Sequence, residues 1–221
     1  MQKSNIKKEN YKNIMIVSHT DDELLWGWKE LKNKEDWLVI CIFQQYNFPN
    51  SEIEREKRFL NFEKTSRIYN FDYVMFEYID NPYNLQVNND IQEKIKLDIK
   101  KYIDSNVNMI LTHNPHGEYG HYHHKITSKI VTEMIFDKDK LYYFSFNINK
   151  YEEFDEKYLE CLNGYFSDCL NDLTVLGHRE LSKISEIIQY KNYKYDYELI
   201  KNKYPDSFLH CNLLTYNKFL Y

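Results

Sequence analysis

Two short stretches of the 221-residue sequence hold side chains whose types and spacing can do chemistry. The first is Ser18-His19-Thr20-Asp21-Asp22-Glu23, which follows directly on the apolar run Ile14–Val17. The second, "THNPHGEYGHYHH" over residues 112–124, contains five of the eight histidines. Imidazole nitrogens and carboxylate oxygens are ligands of divalent transition metals. His19 and Asp22, three residues apart where a strand gives way to a helix, can share one ion. His121 and His124 stand at i and i+3 at a helix start and so share a face. His19, Asp22 and either His121 or His124 make a set of three, with Asp21 left outside it. Three protein ligands and an open position form the pattern of catalytic zinc, with Zn–N and Zn–O distances of about 2.0–2.2 Å. A structural zinc would draw on four ligands including thiolates, and no Cys lies near either stretch. Two histidines and a carboxylate are not selective by themselves, so iron, nickel or another divalent ion also suits the set.

Both stretches have plainer readings. Thr20 to Glu23 fits a capping box, with Thr20 as N-cap and Glu23 reaching back. Acids in a first helical turn also suit the helix dipole. Capping, however, needs neither His19 nor two further acids in a row. The second stretch reads as a polar loop that Gly117 and Gly120 turn sharply, with incidental histidines. The two stretches strengthen each other because both lie beyond the end of a strand.

The elements that must position them follow from hydrophobic periodicity. Strand-length apolar runs occur at Asn13–Ser18, Trp37–Phe43, Tyr73–Tyr78, Asn108–Thr112 and Leu141–Asn147. Segments of helical period occur at Asp21–Lys32, Ser51–Tyr69, Asn89–Asp104, His121–Phe136 and Leu181–Lys191. The alternation predicts an α/β fold: a Rossmann-like, mostly parallel sheet with helices on both faces, in a single domain over 1–221. Its core spans 13–147, and 148–221 packs on it as loops and short elements. Parallel sheets bind ligands beyond the carboxyl ends of their strands. Function is therefore expected at Ser18–Asp22, Gln44–Asn50, Ile79–Asn84 and His113–Gly120, with specificity in loops 44–50, 79–88 and 148–180.

Composition excludes several classes. The net charge is −5 with no basic stripe, which argues against a nucleic-acid partner. No run approaches the ~18 apolar residues of a membrane span, and the polar start "MQKSNIKKENYKN" has no signal-peptide core. Four Cys without a CxxC pair suit reduced thiols and a cytoplasmic setting. The sequence lacks a phosphate-binding G-x-x-x-x-G-K loop, a dinucleotide G-x-G-x-x-G turn and a metalloprotease H-E-x-x-H.

The pair "SHTDDELLWGW" and "GEYGHYHH" resembles the PIG-L (LmbE-like) zinc-dependent de-N-acetylases, whose motifs are A-H-P-D-D-E and a later H-x-x-H, commonly preceded by G-E-Y-G. The resemblance covers residues 13–30 and 108–130 and extends over 51–78. It implies Zn²⁺ held by His19, Asp22 and His124. It implies Asp21 as the general base that activates water, and His121 as the group that stabilises the oxyanion or protonates the leaving amine. Arg58 (or Arg55), His116 and Glu118 are candidates to contact sugar hydroxyls or a phosphate, against the plainer reading of surface ion pairs and packing. The sequence departs from the family at three places. Thr20 replaces a proline, Gly27-Trp28 replaces a Gly-Gly turn, and His123 replaces the acid between the paired histidines. The family's Glu on the second helix falls near Asn61 or Glu63.

The implied activity is hydrolysis of the N-acetyl group of an amino-sugar (N-acetylglucosamine-type) conjugate, a small-molecule substrate, with release of acetate. Two alternatives stand beside it. One is an amidase using the same metal on another acyl group. The other is a sugar- or nucleotide-binding module of the same fold without turnover.

Overall fold

The computed structural model describes residues 3–8, 10–46, 51–80, 87–166 and 173–207. Its centre is five parallel strands: β2 (Asn13–Val17), β3 (Trp37–Tyr46), β4 (Asp72–Asp80), β5 (Met109–Thr112) and β6 (Leu141–Phe146). Antiparallel edges close both sides, β1 (Lys3–Asn5) on β4 and β7 (Ser185–Gln189) on β6. The spatial order is β1-β4-β3-β2-β5-β6-β7. The chain therefore builds outward from β2 through β3 to β4, then returns to add β5 on β2's other side. The junction of β2 and β5 is the topological switch point, where open α/β sheets bind ligands.

The two faces of the sheet carry separate cores, and strand alternation sorts residues between them. Met15 and Val17 of β2 face a layer made by α1 (Asp22–Leu25), α2 (Trp28–Asn33), α3 (Ser51–Tyr69), α6 (Glu156–Phe166) and α7 (Leu173–Lys183). Ile14 and Ile16 face the other layer, α4 (Asn89–Lys100) and α5 (Tyr122–Met134). β2 itself is buried from Ile14 onward, which is why it reads as an unbroken apolar run. The last helix among the described residues, α8 (Tyr197–Lys203), anchors Ile200 in the first core. The fold is thus the α/β sheet with helices on both faces that the periodicity predicts.

Two local expectations are corrected. Asp21–Lys32 is two helices rather than one. Gly27 separates them, because a Cβ there would lie 2.6 Å from Met15 Cε and 2.9 Å from the Glu23 carbonyl oxygen. Trp28 is fully buried among Phe154 and Tyr158, and its indole N–H donates to the Ser182 carbonyl. Its ring therefore turns into the layer formed by the later part of the chain. Finally, Leu181–Lys191 is not a helix: α7 ends at Lys183 and Ser185–Gln189 is strand β7. Ile184, Ile187 and Ile188 fit helical spacing as well as a β-branched strand, and a run this short does not separate the two by period. Residues 47–50, 81–86 and 167–172 of the expected specificity loops, and 208–221 of the C-terminal segment, lie outside the described residues. Among the described residues no helix is long and apolar enough to cross a membrane.

Candidate metal centre

Ser18 to Asp21 leave the end of β2, and His113 to His121 leave the end of β5, its parallel neighbour. The two loops are tied across the switch point. The Ser18 N–H donates to His113 Nε2 at 3.0 Å, and the Ser18 and Thr127 hydroxyls meet at 2.8 Å. His113 Nδ1 lies 2.9 Å from Glu118 Oε2, and its Nε2 lies 3.3 Å from Asp22 Oδ2.

His19, Asp22 and His124 each offer a ligand atom, and these atoms lie within 4.8 Å of one another. All three residues are buried. Both oxygens of Asp22 are engaged: Oδ2 accepts the His19 backbone N–H at 2.8 Å, and Oδ1 accepts the Trp26 indole N–H at 3.1 Å while facing His124 Nε2 at 3.2 Å. His124 Nδ1 meets Glu118 Oε2 at 2.6 Å. This buried carboxylate behind a histidine fixes the ring so that its other nitrogen points at the centre, a common support for metal ligands.

The electrostatics call for a cation. Burial works to raise Asp22, yet the His124 and His113 rings outweigh it and hold the carboxylate well below its ordinary range. Burial works to lower His124, yet Asp22 and Glu118 push it up to about 10. Positive charge is therefore favoured between these carboxylates, and a divalent ion would take the place of the His124 proton. The donor set fits zinc or another borderline metal.

Asp21 precedes Asp22 and is partly exposed. Its backbone φ of 130° is in the region that disfavours side chains. It is the N-cap of α1 but makes no side-chain cap bond, and Glu23 Oε2 accepts the Asp21 N–H rather than that of Thr20. The expected capping box is thus present by one arm only, shifted by one residue. Glu23 is buried and pushed up to about 8 by that burial, with Tyr165 donating to its Oε1 at 2.6 Å. The Asp21 carboxylate is 3.5 Å from Arg58 Nη1, which also donates to the Thr20 carbonyl at 3.4 Å. Asn61 and Glu63 turn elsewhere: Asn61 bonds the Gly164 carbonyl and Glu63 pairs with Arg67.

The remaining candidates divide. His121 is beside the cluster, its ring 4.9 Å from His19 and 4.5 Å from His124. Burial and the neighbouring His124, His19 and His123 rings hold its pKa well below the ordinary value, so His121 is a neutral imidazole at neutral pH. Glu118 is fully buried under the histidines and meets no surface a substrate could reach. Its carboxylate meets His113 and His124 instead. His116 is exposed, stacks on Tyr195 at 4.5 Å and bonds Tyr193 at 3.0 Å, apart from the cluster. His113, which opens the expected functional stretch His113–Gly120 but was given no role of its own, and Trp26, which was not singled out, both adjoin this cluster. The signal for His113 was its position as the first residue past β5.

The loop owes its shape to Asn114, whose side-chain oxygen accepts the His116 and Glu118 N–H groups, and to positive φ at Gly117, Glu118 and Gly120. A Cβ on Gly117 would lie 2.6 Å from the His121 carbonyl oxygen, so this close approach needs glycine.

No protein-family model matches the chain. The chain is 31% identical over 148 residues to uncharacterized protein L374 of Acanthamoeba polyphaga mimivirus, a match spanning 62% of each chain and so less than two thirds of that relative. Solved structures share the fold at low identity. N,N'-diacetylchitobiose deacetylase from Pyrococcus horikoshii superposes with a TM-score of 0.56 at 10% identity, over 87% of this chain and 90% of that one. The A40926 pseudoaglycone deacetylase Dbv21 does so at 0.53 and 13% identity, over 82% and 99%. GalB, the 4-carboxy-2-hydroxymuconate hydratase of Pseudomonas putida, does so at 0.50 and 10%, over 84% and 98%.

Proposed function

We propose that this protein is a metal-dependent hydrolase that removes the N-acetyl group from an N-acetylglucosamine-type conjugate, with zinc as the metal. The observation that carries the reading is the convergence of His19, Asp22 and His124 at the switch point, with the partly exposed Asp21 adjacent in the chain. The deacetylases among its structural neighbours support the same chemistry. Buried free thiols at Cys41 and Cys161 suit a reducing cytoplasm.

His19, Asp22 and His124 would hold the ion, which when bound polarises the acyl carbonyl and lowers the pKa of water to about 7. Asp22 has both oxygens committed, so it does not also move protons. Asp21 takes the proton of the attacking water as the new C–O bond forms. His121, neutral, donates a ring N–H to the oxyanion that develops on the acyl oxygen. Asp21 then returns its proton to the nitrogen as the C–N bond breaks, giving the free amine and acetate. Arg58 holds the Asp21 carboxylate in place and lies where it can meet a substrate hydroxyl or phosphate. Glu118 sets the orientation of His124.

Two substitutions test the division of labour. Asp21→Asn should keep its zinc and lose about 10²–10⁴ in kcat, the usual worth of a positioned general base. Asp22→Asn should lose zinc, because a neutral amide is a poor ligand. Metal content and acetate release are measured on both. Equal zinc and near-normal turnover in both would leave only helix capping, at about 0.5–2 kcal/mol of stability.

A further inference from the structure

Where the family pattern has an acid, this chain has His123, and its surroundings give it a use. The ring stacks on Phe43 at 4.5 Å with an interplanar angle of 19°, which fixes its plane. So held, its Nδ1 lies 3.3 Å from His19 Nε2. The other nitrogen of His19, Nδ1, lies on the opposite edge of the ring, 3.5 Å from Asp22 Oδ2. One histidine thus presents its two nitrogens to two different neighbourhoods. His121 completes the second of these. Its ring meets His19 edge-on at 4.9 Å and lies 5.8 Å from His123. Its Nδ1 is buried with no hydrogen-bond partner among the described residues. A buried polar atom in that state is costly unless an ion or molecule from outside the chain meets it.

We propose that His19, His121 and His123 form a second divalent-metal site, made only of imidazoles, that shares His19 with the first. One ligand atom from each of the three lies within 4.8 Å of the other two, the same closeness that defines the first set. The donor chemistry differs, however. The first set includes a carboxylate, whereas the second offers three nitrogens and no charge. It therefore selects borderline ions such as zinc, copper, nickel and cobalt and rejects magnesium and calcium, which need oxygen ligands. With both sites filled, His19 gives up its remaining ring proton to solvent and bridges the two ions as imidazolate. Filling the second site also engages His121. Where the deacetylase reading holds, excess metal then removes His121 from catalysis.

The test counts bound metal and needs no turnover. Metal-free protein is dialysed against buffered free zinc over a concentration series, and zinc per chain is measured by elemental mass spectrometry. Wild type should reach two equivalents. His121→Phe and His123→Phe, which keep a planar ring, should each lose one of the two. Asp22→Asn, which alters only the first set, should retain the imidazole-held ion, and copper(II) bound to that variant should give a paramagnetic resonance spectrum of nitrogen-only coordination. Magnesium in place of zinc should not fill this site. A wild-type maximum of one equivalent would overturn the proposal, as would two equivalents undiminished in both histidine variants. One equivalent lost in Asp22→Asn and kept in both histidine variants would remove the second site while leaving the first intact.

Discussion

Asp21 and Asp22 are adjacent acids in different surroundings. Asp22 is buried with four residues around its two oxygens, whereas Asp21 is partly open beside Arg58 on a backbone of φ 130°. A non-glycine residue in such a conformation costs about 1–3 kcal/mol, and strain of this kind gathers at functional sites. Asp21→Gly should therefore raise the melting temperature while abolishing turnover. A fall in melting temperature would show that the Asp21 side chain stabilises the fold instead. Glu118→Gln should weaken zinc binding by about 10–100-fold, the usual effect of losing a ligand's supporting carboxylate, as read by competition with a chelator. The histidine also makes a pH prediction for metal-free protein. His124 is raised, so its stabilisation is complete below 6.5 and is lost as pH climbs through about 10. Asp22 and Glu118 are depressed, so theirs is present above the ordinary carboxylate range and is lost in acid. Melting curves against pH should fall on both sides. Because zinc must displace the His124 proton, its apparent affinity should rise about tenfold per pH unit across neutrality. At this scale the sequence was informative where two residues stood three apart at the end of a strand. It offered Glu118 as a substrate contact and did not foresee its partners His113 and His124, which meet it through the turn at Gly117.

Among the elements, long runs with one clear period were legible and short or covered ones were not. α3 falls at its expected bounds, and β2 to β6 fall within a few residues of theirs. In α4 the residues of the buried stripe are Ile95 and Ile99, whereas Leu97 is 62% exposed. β1 was unreadable, being three polar residues that serve as a Lys-bearing edge beside β4. The break between α1 and α2 lies in a feature that periodicity does not report, the approach of Gly27 to Met15 and the Glu23 carbonyl. Gly27→Ala forces those groups apart. It should cost about 1–3 kcal/mol in denaturant unfolding, the usual range for overpacking. An effect near zero would mean that the Met15 side chain absorbs the strain. The consequence reaches the site, since α1 begins with Asp22 and Glu23.

In the molecule as a whole, the later part of the chain completes the core. Trp28 is buried against Phe154 and Tyr158, and its indole bonds the backbone just before β7. Trp28→Ala should cost about 3–5 kcal/mol, measured by denaturant unfolding. A small loss would mean that the later elements contribute little to the cooperative unit. The α/β class and the placement of both motifs beyond strand ends were readable because helices and strands alternate through residue 147, whereas the strand order that makes β2 and β5 a switch point came from the structure. Past that point aromatic and acidic residues obscure the period. A fold does not choose a reaction, and this one is shared by deacetylases and by a hydratase. The central claim is therefore tested most directly by acetate release. The zinc-loaded protein is incubated with a panel of N-acetylglucosamine conjugates, with chelator-treated protein as control. Acetate should appear in equal amount with a free amine from at least one conjugate, vanish with the metal and return with zinc. Stoichiometric zinc at His19, Asp22 and His124 with no acetate from any conjugate would contradict the account.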